Sequence, residues 1–101
     1  MNKSCIEYAF VFKVISDESR LRIINMLSCG SMCACEILEK LDISQSTLSY
    51  HMKILTDSGL VGAVRDGSWM RYAVNKNRVK EVLLFFDNLT SDKESCACKK
   101  S

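Results

Sequence analysis

Apolar positions along the chain recur in two periods. From residue 5 to residue 58 they return at three- and four-residue steps, the spacing of helices seated on a core. Ile6, Phe10 and Val14 mark a first helix over 5–15. Ser16 and Asp17 are N-cap candidates for a second helix from Glu18 to about Ser28, with the stripe Leu21, Ile24 and Leu27 widened by Ile23. Gly30 breaks the pattern. A short helix over 33–41 then buries Ile37, Leu38 and Leu41, and Asp42-Ile43-Ser44 form a tight turn. Ser44 is a natural N-cap for a longer helix that runs to about Ser58, buries Leu48, Met52 and Leu55, and stops at Gly59 as a C′ glycine.

The period then shortens to that of strands. Val61 to Arg65 and Trp69 to Val74 flank Asp66-Gly67, a strong hairpin-turn signal. A last helix over 77–89 carries Val79, Val82, Leu83, Phe86 and Leu89 as one apolar stripe. From Thr90 onward the chain is polar apart from a pair of cysteines, so 91–101 is expected to be a flexible tail behind a single domain over 1–90.

Helix, helix, helix-turn-helix, hairpin, helix describes a mainly α winged helix-turn-helix of five helices with one β-hairpin wing. The first and last helices have stripes too wide for a small trihelical core to cover. Pairing them with a second copy gives a homodimer with two recognition helices.

Size and composition narrow the class. A chain of 101 residues makes one domain, and with four glycines and no proline it is neither collagen-like nor a linker. No apolar run reaches the roughly 20 residues that span a bilayer, so no membrane role is expected. Tyr8 to Ile15 is apolar but is broken by Lys13 and followed by Ser16-Asp17-Glu18 rather than a small-residue cleavage site. A cytoplasmic protein is expected. Six cysteines in such a chain then read as metal ligands or redox sensors rather than a disulfide framework. Net charge is only +2, but residues 44–78 hold Lys53, Arg65, Arg71, Lys76 and Arg78 against Asp57 and Asp66 alone. The middle of the chain is its basic part, a weak footprint for nucleic acid.

The 44–58 helix exposes Gln45, Ser46, Thr47, Ser49, Tyr50, His51 and Lys53. Short hydrogen-bonding side chains at a helix N-terminus suit base edges and phosphates. Arg65 and Arg71 on the hairpin would reach backbone or minor groove. The alternatives are a solvated polar face, and a winged-helix interaction module that binds no DNA.

Three runs carry a resemblance: Ser31-Met32-Cys33-Ala34-Cys35-Glu36-Ile37-Leu38, Ile43 to Leu55 with Gly59-Leu60-Val61, and Arg65 to Tyr72. With the opening Asp17-Glu18-Ser19-Arg20-Leu21-Arg22-Ile23, the chain resembles the ArsR/SmtB repressors over nearly its whole length. The resemblance implies a dimeric winged-helix repressor, not an enzyme, that leaves its operator when an inducer binds. Cys33-Ala34-Cys35 looks like the arsenite- and antimonite-responsive branch. There a third cysteine commonly follows three residues after the second, and here Leu38 stands at that place. Candidates for a third ligand are Cys29, Cys96 and Cys98, with Cys5 as the alternative shared with cadmium- and lead-responsive relatives.

As(III) and Sb(III), like Cd(II) and Pb(II), favour soft thiolates. A helix N-terminus should lower the pKa of Cys33 and Cys35. Two residues apart in a regular helix, their side chains point about 200° away from each other. Gripping one ion therefore requires the first turn to distort, which would disturb the following helix and loosen DNA. A two-thiolate site also suits a methylated arsenical. Thiol oxidation on the same scaffold is a rival trigger. A zinc site on the last helix would need more histidines than His51 alone, and a thiol enzyme lacks a helical Cys-x-x-Cys and a histidine with an acidic partner.

Overall fold

The computed structural model describes residues 3–90; the tail from 91 on, with Cys96 and Cys98, lies outside them. The elements are α1 (Lys3–Ile15), α2 (Glu18–Leu27), β1 (Met32–Cys33), α3 (Ala34–Lys40), α4 (Gln45–Asp57), β2 (Val61–Asp66), β3 (Trp69–Val74) and α5 (Lys76–Thr90). Five helices and a β-hairpin wing thus follow in the expected order. The hairpin gains a third, very short strand, β1, so the antiparallel sheet runs β1-β3-β2.

Local chemistry sets the helix starts. Asp17, in extended conformation, takes the Arg20 backbone N–H on its carboxylate at 3.1 Å and caps α2. Ser44 accepts the Thr47 N–H at 3.1 Å and caps α4. Asn75 accepts the Arg78 N–H at 3.1 Å and opens α5. Gly59 ends the α4 turn at φ +83°, where a side chain would be strained. The hairpin turns one residue later than the dipeptide signal suggests. Asp66 pairs with Trp69, and Gly67 takes φ +67° while Ser68 does not go positive, so the turn is of type II′ with glycine first.

Each helix gives part of its stripe to one core. Val11 and Val14 of α1, Ile23 of α2, Ile37 of α3, and Leu55 of α4 are at most 2% exposed. One expected stripe is corrected. On α2 the buried pair is Ile23 and Leu27, while Leu21 is more than half exposed. On α1 Val14 is buried while Ile6 and Phe10 face outward, in keeping with a stripe too wide for this core to cover. The periodicity was sound, but these helices have a second apolar face that the chain itself does not cover. Phe85 of α5 stacks on Tyr8 of α1 with ring centroids 4.2 Å apart, and Phe12 meets Phe86 edge-on at 5.9 Å. Outside that seam Ile6, Phe10, Leu83, Leu84 and Leu89 stay exposed, and Phe86 is still more than half exposed.

The Asp17 cap yields a first prediction. The Arg20 backbone N–H holds its carboxyl below the usual aspartate range. A lowered native pKa stabilises the fold at pH above the ordinary value, and that contribution is lost as pH falls from there through the lowered one. Asp17→Ala should therefore cost about 1 kcal/mol near neutral pH and lower Tm by roughly 4–8 °C. Asp17→Asn should keep most of that while flattening the acid limb of a thermal-melt series.

Candidate nucleic-acid interface and thiol pair

The start of α4 is a polar, outward-facing surface. Gln45, Ser46, Thr47, Ser49, Tyr50 and Lys53 are all exposed, Tyr50 by 61%. The Ser44 hydroxyl donates to Thr47 Oγ1 at 2.9 Å and lies 3.2 Å from Ser46 Oγ, so the cap also orders the hydroxyls behind it. Lys53 pairs loosely with Asp57 at 3.4 Å, an exposed i,i+4 contact of little stabilising weight. Arg65 stands exposed on β2 of the wing.

Two residues of the expected interface lie elsewhere. His51 is only 7% exposed, because its position on α4 faces α2 rather than outward. Its Nδ1 is 3.1 Å from Arg20 Nη1, and Arg20 Nε donates to the Val14 carbonyl at 2.7 Å. His51 is therefore removed from the DNA-contacting set. Arg71 is half-buried and turned toward the thiol region: Nε donates to Ser31 Oγ at 3.4 Å, and Nη2 lies 3.8 Å from Glu36 Oε1.

The α4 helix is fastened at a second place. Ser58, which follows the last residue of α4, gives its carbonyl to Arg78 Nε at 3.4 Å. The same guanidinium, 16% exposed, pairs with Glu7 of α1 at 3.0 Å and Glu81 of α5 at 3.1 Å, and lies over the Tyr8 ring at 5.2 Å. Arg20 and Arg78 thus tie α4 to the α1 and α5 layer.

Cys33 and Cys35 come together. Cys33 is the N-cap of α3, extended at φ −85° and ψ 161°, and not its first helical residue. It belongs to β1 and pairs with Arg71 of β3. This corrects the expected helix start at 33 and its consequence. The 200° divergence applies only inside a helix, and an extended N-cap brings the two Sγ atoms to 2.7 Å with α3 regular. Cys33 is buried and Cys35 exposed. Glu36, three residues after the cap, accepts the Cys33 backbone N–H at 2.8 Å. That bond first, then the Cys33 thiol, holds the Glu36 carboxyl below its usual range.

The expected lowering of the thiol pKa is not found at Cys35. Its hydrogen bond with the Cys33 thiol, then burial, pushes it up. A neighbouring sulfur outweighs the amides of a seven-residue helix. Cys35 borders a cleft of about 480 Å³ between α3, α4 and the wing, lined also by Leu38, Gln45, Met52 and Trp69. Cys5 and Cys29 are exposed, and among the described residues no three His, Cys, Asp or Glu side chains cluster to hold a metal ion. Sequence reasoning passed over Glu36 and Arg20 as working residues. Glu36 had a signal, since a glutamate at the third helical position after a cap is half of a capping box.

Comparison with known proteins fits this geometry. The sequence profile of the bacterial regulatory protein, arsR family, matches residues 17–62. The arsenical resistance operon repressor of Staphylococcus aureus is 39% identical over 93 residues, covering 92% of this chain and 89% of that protein. The chain belongs to the arsR family. The arsenical resistance operon repressor of Staphylococcus xylosus is 41% identical over the same shares of both chains. Among solved structures, an ArsR-like transcriptional regulator from Rhodococcus sp. RHA1 superposes with a TM-score of 0.80 at 25% identity, over 87% of this chain and 83% of that one. Its family and relatives make this arsR-family chain a transcriptional repressor and not an enzyme. No helix among the described residues is long and apolar enough to cross a membrane.

Proposed function

We propose that this arsR-family repressor works in the cytoplasm as a homodimer, holds operator DNA with α4 and Arg65 of the wing, and releases it when As(III) or Sb(III) bonds Cys33 and Cys35. The observation that carries the inducer reading is the meeting of the two thiols at 2.7 Å. Side by side in one turn, the two thiols need only spread apart to bond the same ion, zinc–thiolate bonds being about 2.3 Å long. Soft thiolates select thiophilic ions over oxygen-loving ones. The arsenical resistance repressors it resembles support the same choice.

Coupling to DNA runs through the strand pairing rather than through distortion of α3. Cys33 pairs with Arg71 of the wing strand, and Glu36 links the Cys33 N–H to the same arginine. An ion that repositions Cys33 therefore acts on β3, while its hold on Cys35 acts on the cleft beside Gln45. Ligand and DNA favour different arrangements, so each weakens the other. The supplementary donor is Cys29 or a tail thiol, Cys96 or Cys98. Cys5 serves in the cadmium and lead alternative, and a methylated arsenical needs only the pair.

Anisotropy of a labelled duplex from the protein's own upstream region, titrated with arsenite and then Cd²⁺ under reductant, tests this. Arsenite should release the duplex from the wild type. The Cys33→Ser, Cys35→Ser double variant should need at least about tenfold more, equivalent to losing 1.4 kcal/mol of coupling. Release by Cd²⁺ alone would move the assignment to the Cys5 alternative. Release by diamide alone would make the pair a redox trigger, and no duplex binding at low salt would leave a module that does not bind DNA.

A further inference from the structure

His51 is the one histidine of the chain and lies buried on the inner side of α4. Its only hydrogen-bond partner on the described residues is the guanidinium of Arg20, at 3.1 Å from Nδ1. A guanidinium stays protonated and has no acceptor atom. The contact is therefore a hydrogen bond only while Nδ1 keeps its lone pair, with the ring neutral and its proton on Nε2. Arg20 is itself fixed at the end of α1 by its bond to the Val14 carbonyl.

From these atoms we infer that Arg20 and His51 form a proton-sensitive positioning pair, which holds α4 in its DNA-binding pose while the imidazole is neutral and gives way when it is protonated. The inference rests on α4 being the helix that meets DNA. His51 touches no DNA in this scheme and acts through the pose of its helix. Protonation removes the acceptor and sets an imidazolium against a guanidinium across the α2–α4 contact.

The other groups around the ring do not restore the lost acceptor. The Asp17 carboxylate, the N-cap of α2, faces both cations while accepting the Arg20 backbone N–H at 3.1 Å; its charge offsets part of their repulsion but gives the Arg20 guanidinium no acceptor in place of Nδ1. From α4 itself comes the neutral phenol of Tyr50, its ring 5.4 Å away and tilted by 56°. The buried core residues of α3 and β2, the other elements packed on α4, are the uncharged Ile37 and Val61. Tyr50 extends from this junction to the exposed face, so a shift of the ring moves a residue of the proposed interface.

The sign is diagnostic. Added positive charge ordinarily strengthens binding to a polyanion as pH falls, whereas this pair makes binding weaken. Operator affinity is measured at constant salt from about pH 8 to about pH 5.5, across the range where imidazoles titrate. Wild type should lose at least about tenfold, the scale of one hydrogen bond to a charged group. His51→Asn places Oδ1 near the Nδ1 position and does not titrate. It should bind like the wild type at the upper pH, within about threefold, and keep that affinity in acid. Parallel curves for the two proteins, or tighter wild-type binding in acid, overturn the inference. Nitrogen-15 spectra of the wild-type imidazole give a readout that needs neither DNA nor a folded variant. Nδ1 unprotonated and Nε2 protonated at the upper pH supports the pair, and the opposite tautomer overturns it. A wild type that binds no duplex at any pH refutes the DNA reading of α4, and with it the DNA-posing role of the pair, whatever the tautomer.

Discussion

Replacing Leu83 and Phe86 with glutamate is expected to give a folded monomer whose operator affinity is lower by about 10²–10⁴-fold, the advantage that joining two binding modules confers. Both side chains are more than half exposed on α5, and each belongs to the stripe that is too wide for the chain's own core to cover. Burying such a residue contributes about 1.5–3 kcal/mol. With Ile6, Phe10, Leu84 and Leu89 beside them, they form an apolar surface larger than a lone small domain needs. Two carboxylates per protomer in that surface would have to be desolvated without partners. The fold should persist, because Val82 and the Phe85–Tyr8 stack remain to hold α5 on α1. Sedimentation velocity reads the oligomeric state, circular dichroism the fold, and anisotropy the affinity. A double variant that stays dimeric would place the contact between copies elsewhere.

Leu55→Ala should destabilise the protein by about 2–5 kcal/mol, a large share of the 5–15 kcal/mol that holds a typical domain together. Leu55 is fully buried on α4 and belongs to the one cluster that joins all five helices with the wing strand Val61. Truncation leaves a cavity that neighbours from several elements cannot close together. A urea titration should show the midpoint falling with the slope unchanged, because the same surface is exposed on unfolding. A loss under about 1 kcal/mol would mean that the core relaxes into the space.

The elements whose order could be read from the chain are those announced by a period or a cap. Ser44 with its helix, Gly59 at its end and the α5 stripe needed only local rules. Leu21 was misassigned because periodicity reports that a face is apolar and not what covers it. The two-residue β1 has no period to detect, and its pairing with β3 is a long-range event. That omission propagated to the site, since Cys33 looked helical only while β1 was unseen. His51 was misplaced for a related reason: on a helix whose faces are both partly polar, a histidine at the boundary goes to whichever side offers a partner. Arg20, far away in sequence, offered one.

The double fastening of α4 bears on what kind of operator the repressor can use. Arg20 holds the helix midway and Arg78 holds its C-terminal end, and both arginines are anchored on the helices of the proposed dimer contact. In a two-fold pair the reading heads are then set at one separation and one mutual angle. Each base pair added between half-sites turns one of them by about 35° relative to the other. Such an operator must itself twist or bend to be read, so tolerance to spacing resides in the DNA and not in the protein.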